Sequence, residues 1–170
     1  MATFRKPVTM VSPDSATYPD RISNQITATN EIGNLIAYVM AEGAADSGVY
    51  VQWSVPKNYV GSGVLVVKGI LDGAPGASDV LAFTVAGLAR ADNEPADTAF
   101  GTPDLASATI GSGGTNHSDE DVYEETVTLT NLGTLDPDDT VFAFAAIDIS
   151  VNDYAGNFLL TAIEFQYAGS

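Results

Sequence analysis

Period-two alternation is the feature that most constrains this chain. Val49, Val51, Trp53 and Val55 fall on one side of an extended backbone, with Tyr50, Gln52 and Ser54 on the other, the pattern of a strand with one buried face. Leu159, Thr161, Ile163, Phe165 and Tyr167 oppose Leu160, Ala162, Glu164 and Gln166 in the same way. Val122–Asn131 is rich in β-branched residues and alternates again. No stretch of helical length carries an apolar stripe at helical spacing. The runs place strands over 34–42, 48–55, 62–72, 79–89, 121–131, 139–150 and 157–168, with a weaker one near 105–110 and a short edge at Ile26–Ala28.

Turn chemistry separates the runs: Glu42-Gly43 with Ser47-Gly48, Asp72-Gly73 with Pro75-Gly76, Asp136-Pro137-Asp138, and Asp153-Tyr154-Ala155-Gly156. About eight strands at roughly 8–12-residue spacing describe one all-β antiparallel domain, a sandwich or barrel, over residues 25–170. In Trp53–Gly63, Pro56 ends a strand, Lys57-Asn58 turns, and Gly61 and Gly63 permit a bulge in the next strand. Trp53 is in phase with three valines, so its indole points inward.

Two segments break the rhythm. Residues 1–24 hold three prolines and no alternation and read as an extended N-terminal arm. Residues 90–120 are too long for a passive turn, and Gly111-Ser112-Gly113-Gly114-Thr115 within them reads as a flexible hinge. One strand is apolar on both sides: Val141, Ala143, Ala145, Ile147 and Ile149 oppose Phe142, Phe144 and Ala146. Such a strand is covered on both faces, by the arm, a loop or another subunit.

The net charge is −16 and unevenly placed. Residues 1–90 carry all six cations (Arg5, Lys6, Arg21, Lys57, Lys68, Arg90) against seven acids, and residues 91–170 carry fifteen acids and no cation. A chain so charged repels nucleic acid and anionic membrane surfaces; its acidity reads as solubility, as attraction for a basic partner, or as adaptation to salt. There are no cysteines, which excludes disulfides, thiol chemistry and Cys-ligated zinc and argues against an oxidising compartment. The N-terminus lacks the apolar core of a signal peptide, and no run reaches the length of a membrane span.

The residues offer little chemistry. His117 stands alone, and Ser118 and Asp119 beside it cannot hold triad geometry as loop neighbours. The acids Asp119, Glu120, Asp121, Glu124, Glu125, Asp136, Asp138 and Asp139 read as solvated charge rather than a glycosidase pair. No cofactor is implied. Calcium is the most credible metal, with oxygen ligands gathered from two loops, although Asp136-Pro137-Asp138-Asp139 lacks the glycine and distal glutamate of the helix–loop–helix pattern.

A longer pattern is carried by Trp53–Tyr59 (WSVPKNY), Ala99-Phe100-Gly101-Thr102, Val127-Thr128-Leu129-Thr130, Leu135–Asp139 and Ile163-Glu164-Phe165-Gln166-Tyr167. Over roughly residues 34–168 it resembles the jelly-roll module of tailed-bacteriophage structural proteins, found on heads and on tail or fibre components. The resemblance implies a jelly-roll β-sandwich and a non-enzymatic virion role as a capsid decoration or cement protein, or a head or tail appendage. It implies a place on the outer surface of the particle, partners among the major capsid protein or other virion subunits, and a homo-oligomer, a trimer by preference. The final hairpin of such modules often carries an Arg-Asp pair; here the region reads Asp148-Ile149-Ser150-Val151-Asn152-Asp153, so any contact made by that arginine is missing. On this reading the arm residues Phe4, Arg5, Lys6, Val8, Met10 and Arg21 bind the neighbour. The competing reading is a carbohydrate-binding jelly roll, with Tyr59, Tyr123, Tyr154 and Phe100 as stacking platforms. A flat row of exposed aromatics on one sheet would favour it.

Overall fold

The computed structural model describes residues 1–11, 21–23, 36–40, 48–95 and 99–170. Their strands are β1 (Ala2–Pro7), β2 (Thr9–Val11), β3 (Arg21–Ser23), β4 (Ile36–Met40), β5 (Gly48–Ser54), β6 (Tyr59–Asp72), β7 (Val80–Arg90), β8 (Asp104–Thr109), β9 (Val122–Thr128), β10 (Thr140–Ile147) and β11 (Asn157–Gly169). Every pairing is antiparallel. One sheet runs β3-β4-β11-β6-β9 with β1 also on β11; the other runs β2-β5-β10-β7-β8. From β4 onward the chain switches sheets at every connection except β7–β8, which gives two interlocked four-stranded sheets, the jelly-roll arrangement. The short edge expected at Ile26–Ala28 lies outside the described residues.

The core is the pair of facing apolar sides. Val49, Val51 and Trp53 of β5, Phe83 and Val85 of β7 and Val141, Ala143 and Ala145 of β10 meet Leu65, Val67 and Leu71 of β6 and Phe158, Ile163 and Phe165 of β11. Trp53 is 4% exposed and its ring lies 5.4 Å from that of Phe165, so the inward orientation holds. Gly69 is an inward position where a Cβ would stand 2.4 Å from the Phe158 ring, so the missing side chain makes room for the phenyl group.

The alternation read for the last strand holds only in part. The β11–β6 register shifts between Leu160 and Ala162, and the Thr161 hydroxyl donates to the Lys68 carbonyl beside the shift (3.2 Å). The extra residue flips the phase. Phe158 and Leu160 therefore enter the core with Ile163, Phe165 and Tyr167, whereas Leu159 packs outside with Ala37, Ile70 and Val39.

Residues 1–11 of the expected arm are extended and lie along the sandwich. β4 pairs only with Phe158–Leu160 of β11, which leaves the edge of Glu164–Gly169 open. Unpaired backbone groups along such an edge need partners, and β1 supplies them, Ala2 facing Gly169 through to Pro7 facing Glu164. Val8 is buried and its N–H donates to the Ile163 carbonyl (3.1 Å). From there the chain crosses to the other sheet, where Thr9–Val11 pair with Tyr50–Gln52. Residues 2–11 thus clip both sheets along one edge of the sandwich.

The long 90–120 segment is also built rather than slack. It contains β8, and after it Gly113 N–H donates to the Ala77 carbonyl (2.8 Å), His117 N–H to that of Ile110 (2.8 Å) and Glu120 N–H to that of Leu71 (2.9 Å). A Cβ on Gly111 would lie 1.8 Å from the Gly76 carbonyl oxygen. Glycine here permits two loops to touch backbone to backbone and does not act as a hinge.

Candidate functional site

The two outer faces of the sandwich differ in chemistry. On the β1-bearing sheet, a charged row crosses four strands. The Arg5 guanidinium donates to both carboxylate oxygens of Glu124 (2.8 and 3.1 Å) and to Gln166 Oε1 (2.7 Å). Lys68 Nζ sits 2.8 Å from Glu164 and 3.5 Å from Glu124. Hydrogen bonds from Arg5, and the positive charges of Arg5 and Lys68, hold the Glu124 carboxyl below the usual carboxylate range. Glu124 in turn raises the Arg5 guanidinium.

On the other sheet the outer face is apolar along β10 and polar toward its margins, where Gln52 and Ser54 of β5 and Ser107 of β8 are exposed. Phe142 and Phe144 of β10 are half-buried there, beside buried Ala146, Leu88, Ala82 and Thr84. Tyr50 packs at 5.0 Å from Phe144, and the loop residue Phe100 lies 6.3 Å from Tyr50. A loop therefore supplies part of the cover that the doubly apolar strand requires. Leu105 on the edge strand β8 remains 50% exposed.

A cleft of about 290 Å³ opens at one end of this face. Phe142 and Thr140 form its floor, and Arg90, Asp92, Asn93, Glu94 and Asp138 form its walls. The Arg90 guanidinium is spent on the Pro95 and Ala89 carbonyls, and Glu94 accepts from Ala91 N–H. The free chemistry of the cleft is thus one aromatic face with carboxylate and amide groups around it. Sequence reasoning missed it because its residues come from three separate turns and strands and share no spacing.

The structure distributes the expected arm residues over the clip. Phe4 stacks on Tyr167 (5.5 Å, 23°) and is 38% exposed. Arg5 joins the charged row, and Lys6 Nζ reaches the Ser54 carbonyl (3.5 Å). Val8 is in the core and Met10 packs against it. Arg21 opens β3, opposite Tyr38. Val8 turns into the core while Phe4 and Arg5 lie on the outside, so these three do not share one surface.

The acid-rich end is structural. Asp119 accepts from Gly73 N–H (2.8 Å), Asp121 from Ser118 N–H (2.7 Å), and Asp153 from Val80 N–H. His117 bonds through Nδ1 to the Thr115 hydroxyl (2.7 Å), its ring edge-on to Tyr123 (5.1 Å). His117 Nδ1 is bonded to Thr115 and the Asp119 carboxylate to Gly73 N–H, so His117 and Asp119 are held by different partners. In the Asp136–Asp139 turn, the Asp139 carboxylate accepts from Asp136 N–H (3.0 Å), while Asp138 faces Lys57 at 3.8 Å. Among the described residues no three His, Asp or Glu side chains gather as a metal site.

The sugar-platform candidates are mostly interior. Tyr123 and Tyr154 are buried, and Tyr59 is half-buried against Phe165 and Tyr167. Burial pushes both buried phenols well above the usual tyrosine range, with the Glu125 carboxylate adding to the shift at Tyr123 and nearby aspartates at Tyr154. Tyr50, Phe100, Phe142 and Phe144 gather on the outer face instead, but tilted rather than in a flat row.

Strand order and packing define the class: an all-β jelly-roll sandwich with a charged row across one outer face and the half-buried aromatics of β10 on the other. No protein-family model matches the sequence, and no curated protein does. Solved structures with a similar fold include one described as carbohydrate-binding modules from the β-sandwich superfamily (11% identity, TM-score 0.40), over 96% of this chain and 56% of that one. The K3 cleaved adhesin domain of Lys-gingipain from Porphyromonas gingivalis W83 is similar at 14% identity and TM-score 0.35, over 76% of this chain and 72% of that one. A family 35 carbohydrate binding module from Clostridium thermocellum is similar at 12% identity and TM-score 0.30, over 99% of this chain and 92% of that one. This chain spans a little over half the length of the first. Likenesses of this size carry nothing about function.

Proposed function

We propose that this protein is a non-enzymatic structural subunit of a virion, a jelly-roll decoration or appendage protein that docks on neighbouring subunits at the outer surface of the particle. The observation that carries the reading is the contrast between the two outer faces. Solvated sheet faces are normally polar, and the face bearing Arg5, Lys68, Glu124 and Glu164 is so. The opposite face presents Phe142, Phe144 and Leu105, residues suited to contact with another subunit. The phage-like motifs support the reading as scaffold. Trp53 and Phe165 lie in the core, Pro56 and Asp136–Asp139 make turns, and Tyr59 opens β6. His117 is bonded to Thr115, and the Asp119 and Asp121 carboxylates accept backbone N–H groups of turns. Mass spectrometry of purified particles from the virus that encodes the chain tests this: the chain is expected at stoichiometric abundance, and its absence overturns the proposal.

The cleft over Phe142 favours a second reading, carbohydrate attachment. An aromatic floor rimmed by Asp92, Asn93 and Asp138 suits a neutral sugar, which offers C–H groups to a ring and hydroxyls to carboxylates. A glycan array on which wild-type protein binds and Phe142→Ala does not would support it. An array without hits removes it.

A further inference from the structure

β1 is unlike every other strand of the sandwich whose side chains are fully described. All six of its residues are exposed, so it contributes nothing to the core. Yet it is bound specifically. Phe4 stacks on Tyr167, Arg5 engages Glu124 and Gln166 and lies 3.6 Å from Glu164, and the backbone pairs residue for residue with Gly169 back to Glu164. The receiving edge is therefore a socket: an open strand edge, an aromatic ring and two carboxylates. The strand that fills it carries Arg5 and Lys6 and no acid, in a chain whose net charge is −16. Pro7 is the last residue of β1, and burial begins at Val8.

We propose that β1 is an exchangeable strand, and that in the assembled protein it docks in the β11 socket of a neighbouring copy. The inference rests on the assembly reading above and names its contact. Every copy presents the same socket to the same strand, so the pairing that one chain gives up internally is restored with the next, and exchange of an identical element is a low-cost route to an oligomer. None of the β1 side chains is buried, and the apolar contact broken on its release is the Phe4 stack on Tyr167. The opposite charges of strand and socket favour capture across chains as well as within one, most strongly at low salt. Pro7 restricts the backbone at the departure point, and the buried Val8 marks where the exchanged segment ends.

The absence of cysteine makes the test direct. Thr3 and Ala168 are cross-strand partners, and antiparallel partners stand about 4.5–5.5 Å apart at Cα, within disulfide range. The double variant Thr3→Cys/Ala168→Cys is oxidised as the full chain, with its oligomeric state measured by sedimentation. The expected result is interchain linkage that shifts the protein to multimers on a non-reducing gel and collapses on reduction. The control pair Val80→Cys/Thr109→Cys, also cross-strand partners, closes only within chains. Arg5→Glu is expected to lower the interchain fraction and Arg5→Glu with Glu124→Arg to restore it. A Thr3/Ala168 bridge that closes only within chains overturns the proposal, as does a protein that is monomeric at every concentration. The measurement is made on purified protein, so its failure is separate from a failure to find the chain in particles.

Discussion

The sharpest prediction concerns Asp104, which is 5% exposed on the edge strand β8. Its carboxylate accepts four hydrogen bonds from the segment after β9. One oxygen takes the backbone N–H groups of Thr130 (2.9 Å) and Asn131 (3.0 Å), and the other takes the Thr130 hydroxyl and Asn131 Nδ2 (2.9 Å). Because β8 and β9 belong to different sheets, this cluster ties the sandwich shut along one side. Asp104→Ala removes the charged acceptor of two backbone donors, and because Thr130 and Asn131 are exposed, water takes its place only in part. A hydrogen bond to a charged group contributes about 1.5–3 kcal/mol, so losing the two backbone bonds costs about 4 kcal/mol. At roughly 2–4 °C per kcal/mol for a chain of this length, Tm falls by about 12 °C. Asp104→Asn behaves differently. Its amide oxygen can take the two backbone donors while its NH₂ donates to the Thr130 hydroxyl and to a flipped Asn131 amide. Only the charge assistance is lost, so the cost is about 1–2 kcal/mol. Thermal unfolding followed by circular dichroism, with a denaturant titration alongside, measures both. An alanine variant as mild as the asparagine one refutes the clasp; an asparagine variant as damaged as alanine shows that charge, not the donor–acceptor pattern, is what matters.

Three further outcomes follow from the same structure. The Glu124 carboxyl lies below its usual range because of Arg5, so its contribution to holding β1 is present above the unfolded carboxylate value and is lost as pH falls through the lower folded value. Amide exchange of residues 2–6, corrected for intrinsic rates, should therefore rise on going from neutral to strongly acidic pH while β10 stays protected, and equal protection of β1 at both ends would contradict this. Tyr123 and Tyr154 are raised by burial, so the stability they contribute is complete below the unfolded tyrosine value and is lost as pH climbs beyond it; ultraviolet titration should show these two phenols ionising only together with alkaline unfolding. Gly111→Ala would drive a methyl group into the Gly76 carbonyl and is expected to cost roughly 3 kcal/mol, with local exchange rising at residues 76–79 and 110–117; a neutral effect on the denaturation midpoint would show that the two loops yield.

What the sequence disclosed, and what it concealed, follows one physical rule. Alternation records burial of one face, so β5 and β9 were legible from their residues, and so was the inward turn of Trp53. β1 has no buried face; its place is dictated by an open edge on β11 and not by its own pattern, which is why ATFRKP read as an arm. The β11 phase failed at Thr161 because a one-residue bulge leaves composition unchanged while reversing sides. The glycines of 111–114 read as slack, since the carbonyl that excludes a side chain at Gly111 comes from a turn far away in sequence. Phe142 and Phe144 announced a covered outer face because nothing else explains apolar residues in both phases, but the cleft they border joins Arg90–Glu94 to Asp138 through folding alone. The same rule bears on function. A face that water covers needs polar side chains, and the Arg5–Glu124–Lys68–Glu164 row meets that need. Phe142, Phe144 and Leu105 do not meet it, which is why the proposed subunit contact is placed on the β5-β10-β7-β8 sheet.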